Sequence, residues 1–231
     1  MLNKTVLPAL FQPFYCSDLQ RLGKPHDGGY LVNQHDIRKS NTLVSFGVND
    51  DVSFEKQFVD LQECLGYLYD RESKIDHAND LRLQIIKKHV VRDVSIQEVF
   101  EGLDQVFLKC DIEGDEYFLL NYLINHYKQF TGAVIEFHQI EKQERLQQVA
   151  NFIAKFRLPL VHIHINNWFF YKLPEISAPS VIELTFSSSE NLSYKPDLSF
   201  PHALDMPNNP NNADFDIRFV GELQWFLKSF T

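Results

Sequence analysis

The chain is expected to fold as an α/β domain with a mostly parallel sheet, and three features of its sequence predict this. An apolar run from Leu43 breaks at Phe46-Gly47 and passes into a helical pattern by Phe54, the strand-turn-helix of a parallel unit. Val106–Cys110 is continuously apolar, as a strand covered on both faces must be. From there strand and helix patterns alternate. A helix from Asp115 would bury Leu120, Leu123, Ile124 and Tyr127, a strand runs Ala133–Phe137, and a helix over Glu141–Phe156 turns Leu146, Val149, Ala150 and Ile153 inward before a strand at Leu160–Ile165. Ser180–Phe186 has no helix ahead of it and is expected to enter the sheet antiparallel.

The remaining elements follow from local signals. Leu22–Val32 reads as a hairpin around Asp27-Gly28-Gly29, either a lid over a ligand or a cover for a sheet edge. Asp51 or Ser53 would cap the helix after Gly47, with Phe54, Phe58, Leu61 and Leu65 on its buried face and Gly66 as its stop. A strand from Gly66 to Tyr69 then ends on Asp70. Asp76–Lys88 reads as a charged helix and His89–Arg92 as a short strand, and Ser95 with Glu98 forms a capping box ahead of Val99 and Leu103. Leu192–Asp214, rich in Pro, Asn and Ser, reads as a surface loop and Phe215–Phe219 as an edge strand.

The length of 231 residues suits one domain, 1–231, with an N-terminal appendage (1–40), a core (41–186) and a C-terminal loop and edge strand (187–231). Hydrophobic residues at 44%, including 20 phenylalanines, leave apolar surface for a pocket or a homo-oligomer contact. The excess of 31 acidic over 22 basic residues, net −9, repels a phosphate backbone, so nucleic acid is not an expected partner. Cys16, Cys64 and Cys110 lack metal-finger spacing and read as reduced core thiols. There is no signal-peptide layout and no run of membrane-spanning length, so a cytoplasmic location is expected.

The chemistry is expected at the carboxyl ends of the strands, where open α/β sheets bind ligands. Phe46, Gly47, Val48 and Asn49 form the first turn, whose helix-ward N–H groups suit an anionic group, although the glycine fingerprint G-x-G-x-x-G is absent. Asp70 stands about twenty residues beyond the turn, where an acid can hold a ribose, and Asp93 with Val94 closes a strand end where a base could lie. Three later strands finish in polar pairs two residues apart: Asp111 and Glu113, Glu136 and His138, His164 and Asn166. Each pair would point to one face, as ligand-binding groups or as helix caps and loop bonds. His138 reads as a general base or as a core histidine bonded to the backbone. A divalent metal on Asp111, Glu136, His138 and His164 is a less favoured alternative, because neighbouring strands lie about 4.8 Å apart and the four must converge.

With these pieces in place, the sequence resembles the FkbM-type branch of the S-adenosylmethionine-dependent class I methyltransferases. The residues that carry the resemblance are LKCDIEGDEYFLL (108–120) and GAVIEFH (132–138), joined by RLGKPHDGGYLV from Arg21, SFGVNDDVSFE from Ser45 and HIHINNW (162–168), over roughly residues 20 to 220. It differs from the family pattern at Ser45, where an acid is usual, and at Asn49, where a second glycine is. The resemblance implies a Rossmann-like sheet and O-methylation of a sugar or other small-molecule hydroxyl. It implies S-adenosylmethionine held by Gly47 and its neighbours at the methionine part, Asp70 at the ribose, Asp93-Val94 at the adenine and Asp111 at the reacting end. His138 or Asp111 would then take the acceptor's proton, with Glu136 beside them and Glu113, His164, Asn166 and Asn167 orienting the substrate. Two rival readings remain: a nicotinamide-dependent oxidoreductase, which the missing glycines and the lack of a Tyr-x-x-x-Lys pair disfavour, and a non-catalytic module of the same fold that binds a saccharide or a protein.

Overall fold

The computed structural model describes residues 2–75, 80–172 and 177–221. β1 (Asn3–Pro8) opens the chain, followed by the hairpin of β2 (Leu19–Gly23) and β3 (Gly29–Asn33) and by α1 (Gln34–Lys39). The parallel part of the sheet begins with β4 (Thr42–Phe46), α2 (Ser53–Leu61), β5 (Leu65–Tyr69) and β6 (Leu83–Ile86). It continues through α3 (Ile96–Phe100), β7 (Val106–Cys110), α4 (Leu120–Asn125) and β8 (Phe130–His138). α5 (Gln143–Lys155), β9 (Leu160–Lys172), β10 (Ser177–Ser187) and β11 (Phe215–Val220) complete it.

Seven strands form one sheet in the order β6-β5-β4-β7-β8-β10-β9. β4 to β8 pair in parallel, and β10 lies antiparallel between β8 and β9. This is the mostly parallel Rossmann-like sheet with a late antiparallel strand that the sequence predicts. β4, β7 and nearly all of β8 are buried along their length, which is why they read as unbroken apolar runs. One core cluster packs α4 and α5 under the β7–β10 side, and a second packs α1, α2 and the β2–β3 hairpin against β4 and β5 on the other. Phe54, Phe58 and Phe107 pack with tilted rings at the centre of the second. No helix among the described residues is long and apolar enough to cross a membrane.

Five local expectations need correction. α2 ends at Leu61, which is exposed, and Leu65 already belongs to β5, so Gly66 sits inside a strand rather than stopping a helix. Residues 83–86 of the expected charged helix are β6, paired with β5 from Gly66↔Leu83 onward; residues 76–79 lie outside the described ones. His89–Arg92 makes only a single bridge, Val90 to Val94. The helix from Asp115 is broken into a 3-10 turn at Glu116–Phe118, the six residues of α4 and a second turn at Tyr127–Gln129. Finally, β11 is no edge of the main sheet: it pairs in parallel with β1 as a separate two-stranded sheet.

Candidate functional site

The site opens where the sheet changes its direction of growth. β5 and β6 lie on one side of β4, and β7 and β8 on the other, so the loops leaving β4 and β7 diverge and leave a crevice beyond the strand ends. A cavity of about 530 Å³ fills it, with Gly47, Val48, Asn49, Asp70, Asp111 and Glu113 on its wall.

The first turn is held from three sides. Gly47 has φ +77, and a Cβ there would overlap the Asp111 carbonyl oxygen, so the approach of the β4 turn to the β7 turn requires glycine. The Gly47 N–H donates to Tyr69 O at 3.0 Å, and Lys109 Nζ donates to Gly47 O at 2.6 Å. Asp70 closes the third side: Oδ2 accepts from the Val48 and Asn49 N–H groups at 3.0 and 2.6 Å, and Oδ1 from those of Glu72 and Ser73 at 2.8 and 2.9 Å. Four backbone donors thus engage the carboxylate that was expected to hold a ribose. Phe46 points into the core, edge-on to Tyr69 and Phe100, and supports the turn from beneath.

Below the turn lies a buried charge pair that the sequence did not reveal. Ser45 Oγ donates to Glu55 Oε1 at 2.6 Å, and Lys109 Nζ is 3.5 Å from the same oxygen. α2 thereby brings an acid to the buried serine of β4. Burial pulls the Lys109 pKa down, but Glu55, Asp111 and Glu136 outweigh it and hold it above the ordinary lysine range.

The β7 and β8 ends carry a second cluster. Tyr30 Oη, from the hairpin, lies 3.2 Å from both Asp111 Oδ2 and Glu136 Oε2, so its one proton is shared between two carboxylates, and Asn166 Nδ2 donates to Glu136 Oε1 at 3.1 Å. The hairpin is thereby built into the site through Tyr30, and Lys24, Asp27 and Gly28 at its turn also line the cavity. His138 Nε2 stands 3.3 Å from Glu113 Oε2, 3.7 Å from Glu136 Oε1 and 3.9 Å from Asp111 Oδ1. Behind it, the buried Glu116 carboxylate accepts the His138 backbone N–H at 2.6 Å and faces Nδ1 at 3.3 Å. Burial lifts Asp111 to about 6, with Lys109 and His138 opposing the rise. Glu136 is pushed well above the usual carboxylate range by burial and then by Asp111 and Glu183. Burial alone would lower the imidazole pKa of His138, yet Glu116 first and Asp111 and Glu113 next raise it.

Other expected site residues lie elsewhere. Asp93 and Val94 do not line the cavity; Asp93 accepts the His89 N–H at 2.8 Å, and Lys88, His89 and Val90 take the wall, because the strand here is β6, which ends at Ile86, and not His89–Arg92. His164 and Asn167 are buried away from it, since β10 separates β9 from β8, and Asn166 reaches the site only through its bond to Glu136. His164 bridges Glu183 at 3.3 Å and Asp214 at 3.2 Å, and Asn167 Nδ2 donates to the carbonyls of Asn209 and Asn212. Of the four-residue metal set, Asp111 and His138 converge; His164 drops out, Glu136 is not among the convergent donors, and Glu113 joins them instead.

No family model matches the chain, and no curated protein matches it in sequence. Solved structures resemble it at low identity. The Methanococcus jannaschii fibrillarin pre-rRNA processing protein is 11% identical over 74% of this chain and 83% of that one, with a TM-score of 0.44. The human methyltransferase 10 domain containing protein is 9% identical over 65% and 73%, with a TM-score of 0.40. M. jannaschii TYW2 in complex with AdoMet is 12% identical over 74% and 87%, with a TM-score of 0.37.

Proposed function

We propose that this chain is an S-adenosylmethionine-dependent methyltransferase of the kind its FkbM-like segments resemble, acting on a hydroxyl of a sugar or other small molecule. The observation that carries this reading is the cavity at the switch point between β4 and β7, floored by the glycine turn that no larger residue could replace. Its wall fits the methyl donor in kind. Gly47–Asn49 offers backbone to the amino-acid end, Tyr69 and Val90 offer an aromatic and an apolar surface to a base, and Asp111 offers a carboxylate to a sulfonium. When bound, the donor supplies an electrophilic methyl group.

The protein's own residues would position and deprotonate the acceptor. The Asp111 carboxylate, facing the cavity and braced by Tyr30, is the group in reach to take the hydroxyl proton, and Glu113 at the rim would orient the acceptor. His138 and Glu136 flank that carboxylate from behind. Acidic residues outnumber basic ones on the cavity wall, which suits a neutral acceptor better than a phosphate-rich one.

Calorimetric titration with S-adenosylmethionine and its demethylated product, with NADH as control, tests the reading. Micromolar binding of the first two, lost in Gly47→Ala, is expected. One observation favours a second reading, a non-catalytic module that binds a saccharide or protein: the carboxylate of Asp70 is already engaged by four backbone donors. A folded sample that binds neither methyl donor nor product would overturn the first reading in favour of the second.

A further inference from the structure

We infer that Asp111, Glu113 and His138 form a site for a single divalent cation with mixed oxygen and nitrogen preference, of the Mn2+ type. The three donor atoms lie within 4.8 Å of one another, and Nε2 of His138 is 3.3 Å from Glu113 Oε2 and 3.9 Å from Asp111 Oδ1. An ion about 2.0–2.3 Å from each of three ligands needs them roughly 3–4 Å apart, and His138 Nε2 stands at that spacing from both carboxylates. Two carboxylates and one imidazole suit manganese, iron or zinc better than the all-oxygen cages of calcium.

The arrangement behind the histidine points the same way. Glu116 is fully buried, and its Oε1 takes the His138 backbone N–H and faces Nδ1, which fixes the ring so that Nε2 aims into the cluster. Nε2 makes no hydrogen bond among the described residues, although three carboxylates surround it. A carboxylate held on one ring nitrogen while the other faces further carboxylates is the support that metal-binding histidines receive. Glu136, whose Oε1 is 3.7 Å from Nε2, stands close enough to be a fourth ligand or to bind a coordinated water. The alternative occupant of the same space is only the proton of His138, paired with Glu113 at the rim.

This site stands on the cluster's geometry and not on methyl transfer, so it is tested without a methyl donor. With an ion present, Nε2 and Asp111 Oδ1 are ligands, and Asp111 Oδ2, which accepts from Tyr30, is the oxygen left to take a proton. Manganese chloride is titrated into the metal-stripped full chain and followed by calorimetry and by electron paramagnetic resonance of the free ion. One equivalent bound in the micromolar range is expected, with a spin-echo modulation from a directly bound nitrogen. Glu113→Gln, at an exposed position, should weaken binding at least tenfold, and His138→Asn should abolish the nitrogen signal. Asp50→Asn, a carboxylate on the same cavity wall outside the cluster, should change neither. Absence of saturable binding in the folded wild type would overturn the site. So would binding that both cluster variants retain unchanged, the mark of diffuse attraction to a chain of net charge −9.

Discussion

Ser45 and Glu55 share one buried hydrogen bond, 2.6 Å from hydroxyl to carboxylate, and through it a helix delivers the acid that the strand lacks. Lys109 completes the group and reaches up to the Gly47 carbonyl, so the shape of the turn depends on a charge pair beneath it. Glu55→Gln would leave the Lys109 ammonium buried with Gly47 O as its closest acceptor. Breaking such a pair costs about 3–5 kcal/mol, against about 1 kcal/mol for a surface pair. Urea unfolding is expected to show a loss near the lower figure. A change below 1 kcal/mol would mean that the pair is screened by water.

Asp70 binds backbone, and that separates two roles for it. Asp70→Ala removes four acceptor contacts from the turns on either side of it and should destabilise the unliganded protein by about 1–3 kcal/mol. A residue that served only to hold a ribose would weaken ligand binding and leave the unliganded melting temperature where it was.

Asp36 stands apart from the site and carries a cost. Burial lifts its carboxyl to about 7, only partly offset by bonds from Ser187 and Ser188, and Oδ2 has no partner. Its folded pKa is above its unfolded value of 3.8, so the folded state holds the proton more tightly and stability falls as pH rises from about 4 to about 7. Asp36→Asn keeps the acceptor for Ser188 and removes the charge. It should raise stability at pH 8 by roughly 1–3 kcal/mol and make little difference at pH 4, as followed by thermal melts across that range.

The 202–214 segment is expected to loosen at both ends of the pH scale. His164 sits between Glu183 of β10 and Asp214, with Asp205 nearby. Burial would lower its pKa, but hydrogen bonds to Asp214 and Glu183 lift it well above the usual value. That stabilisation is full below about 6.5 and is lost as pH rises through the raised folded value. Asp205, held by His162 at 3.0 Å, is moved the other way: burial raises it, and His162 and His164 lower it further. Its contribution is present above 3.8 and is lost as pH falls through the depressed value. Hydrogen exchange at Asp205–Asp214 should therefore speed up in alkali before the core strands respond, and His164→Gln should remove that alkaline step.

The long periodic elements could be read from the chain, and the pairwise chemistry could not. α5 and β7 announce themselves by a helical stripe and an unbroken apolar run, and the hairpin by its double glycine. β6 was masked because LQII lies between charged residues that read as a helix, and its strand identity comes from its pairing with β5. The polar ends of β9 looked equivalent to those of β7 and β8, yet β10 displaces β9 by one strand, a long-range event with no local signature. Tyr30 and Glu55 reach the site from elements that flank the sheet. A serine inside the apolar strand LVSF was the one hint that a polar partner had to come from elsewhere.

The place of β10 also bears on how a growing chain can fold. β8 and β9 emerge from the ribosome before the strand that joins them, so the open edge of β8 cannot be sealed until residues up to Ser187 are available. Until then, β4 to β8 form a parallel half-sheet whose β8 flank is bare, and β9 carries His162 and His164 before their partners Asp205, Glu183 and Asp214 exist. A nascent chain stalled between 172 and 187 is thus the form of this protein most exposed to chaperones and to aggregation.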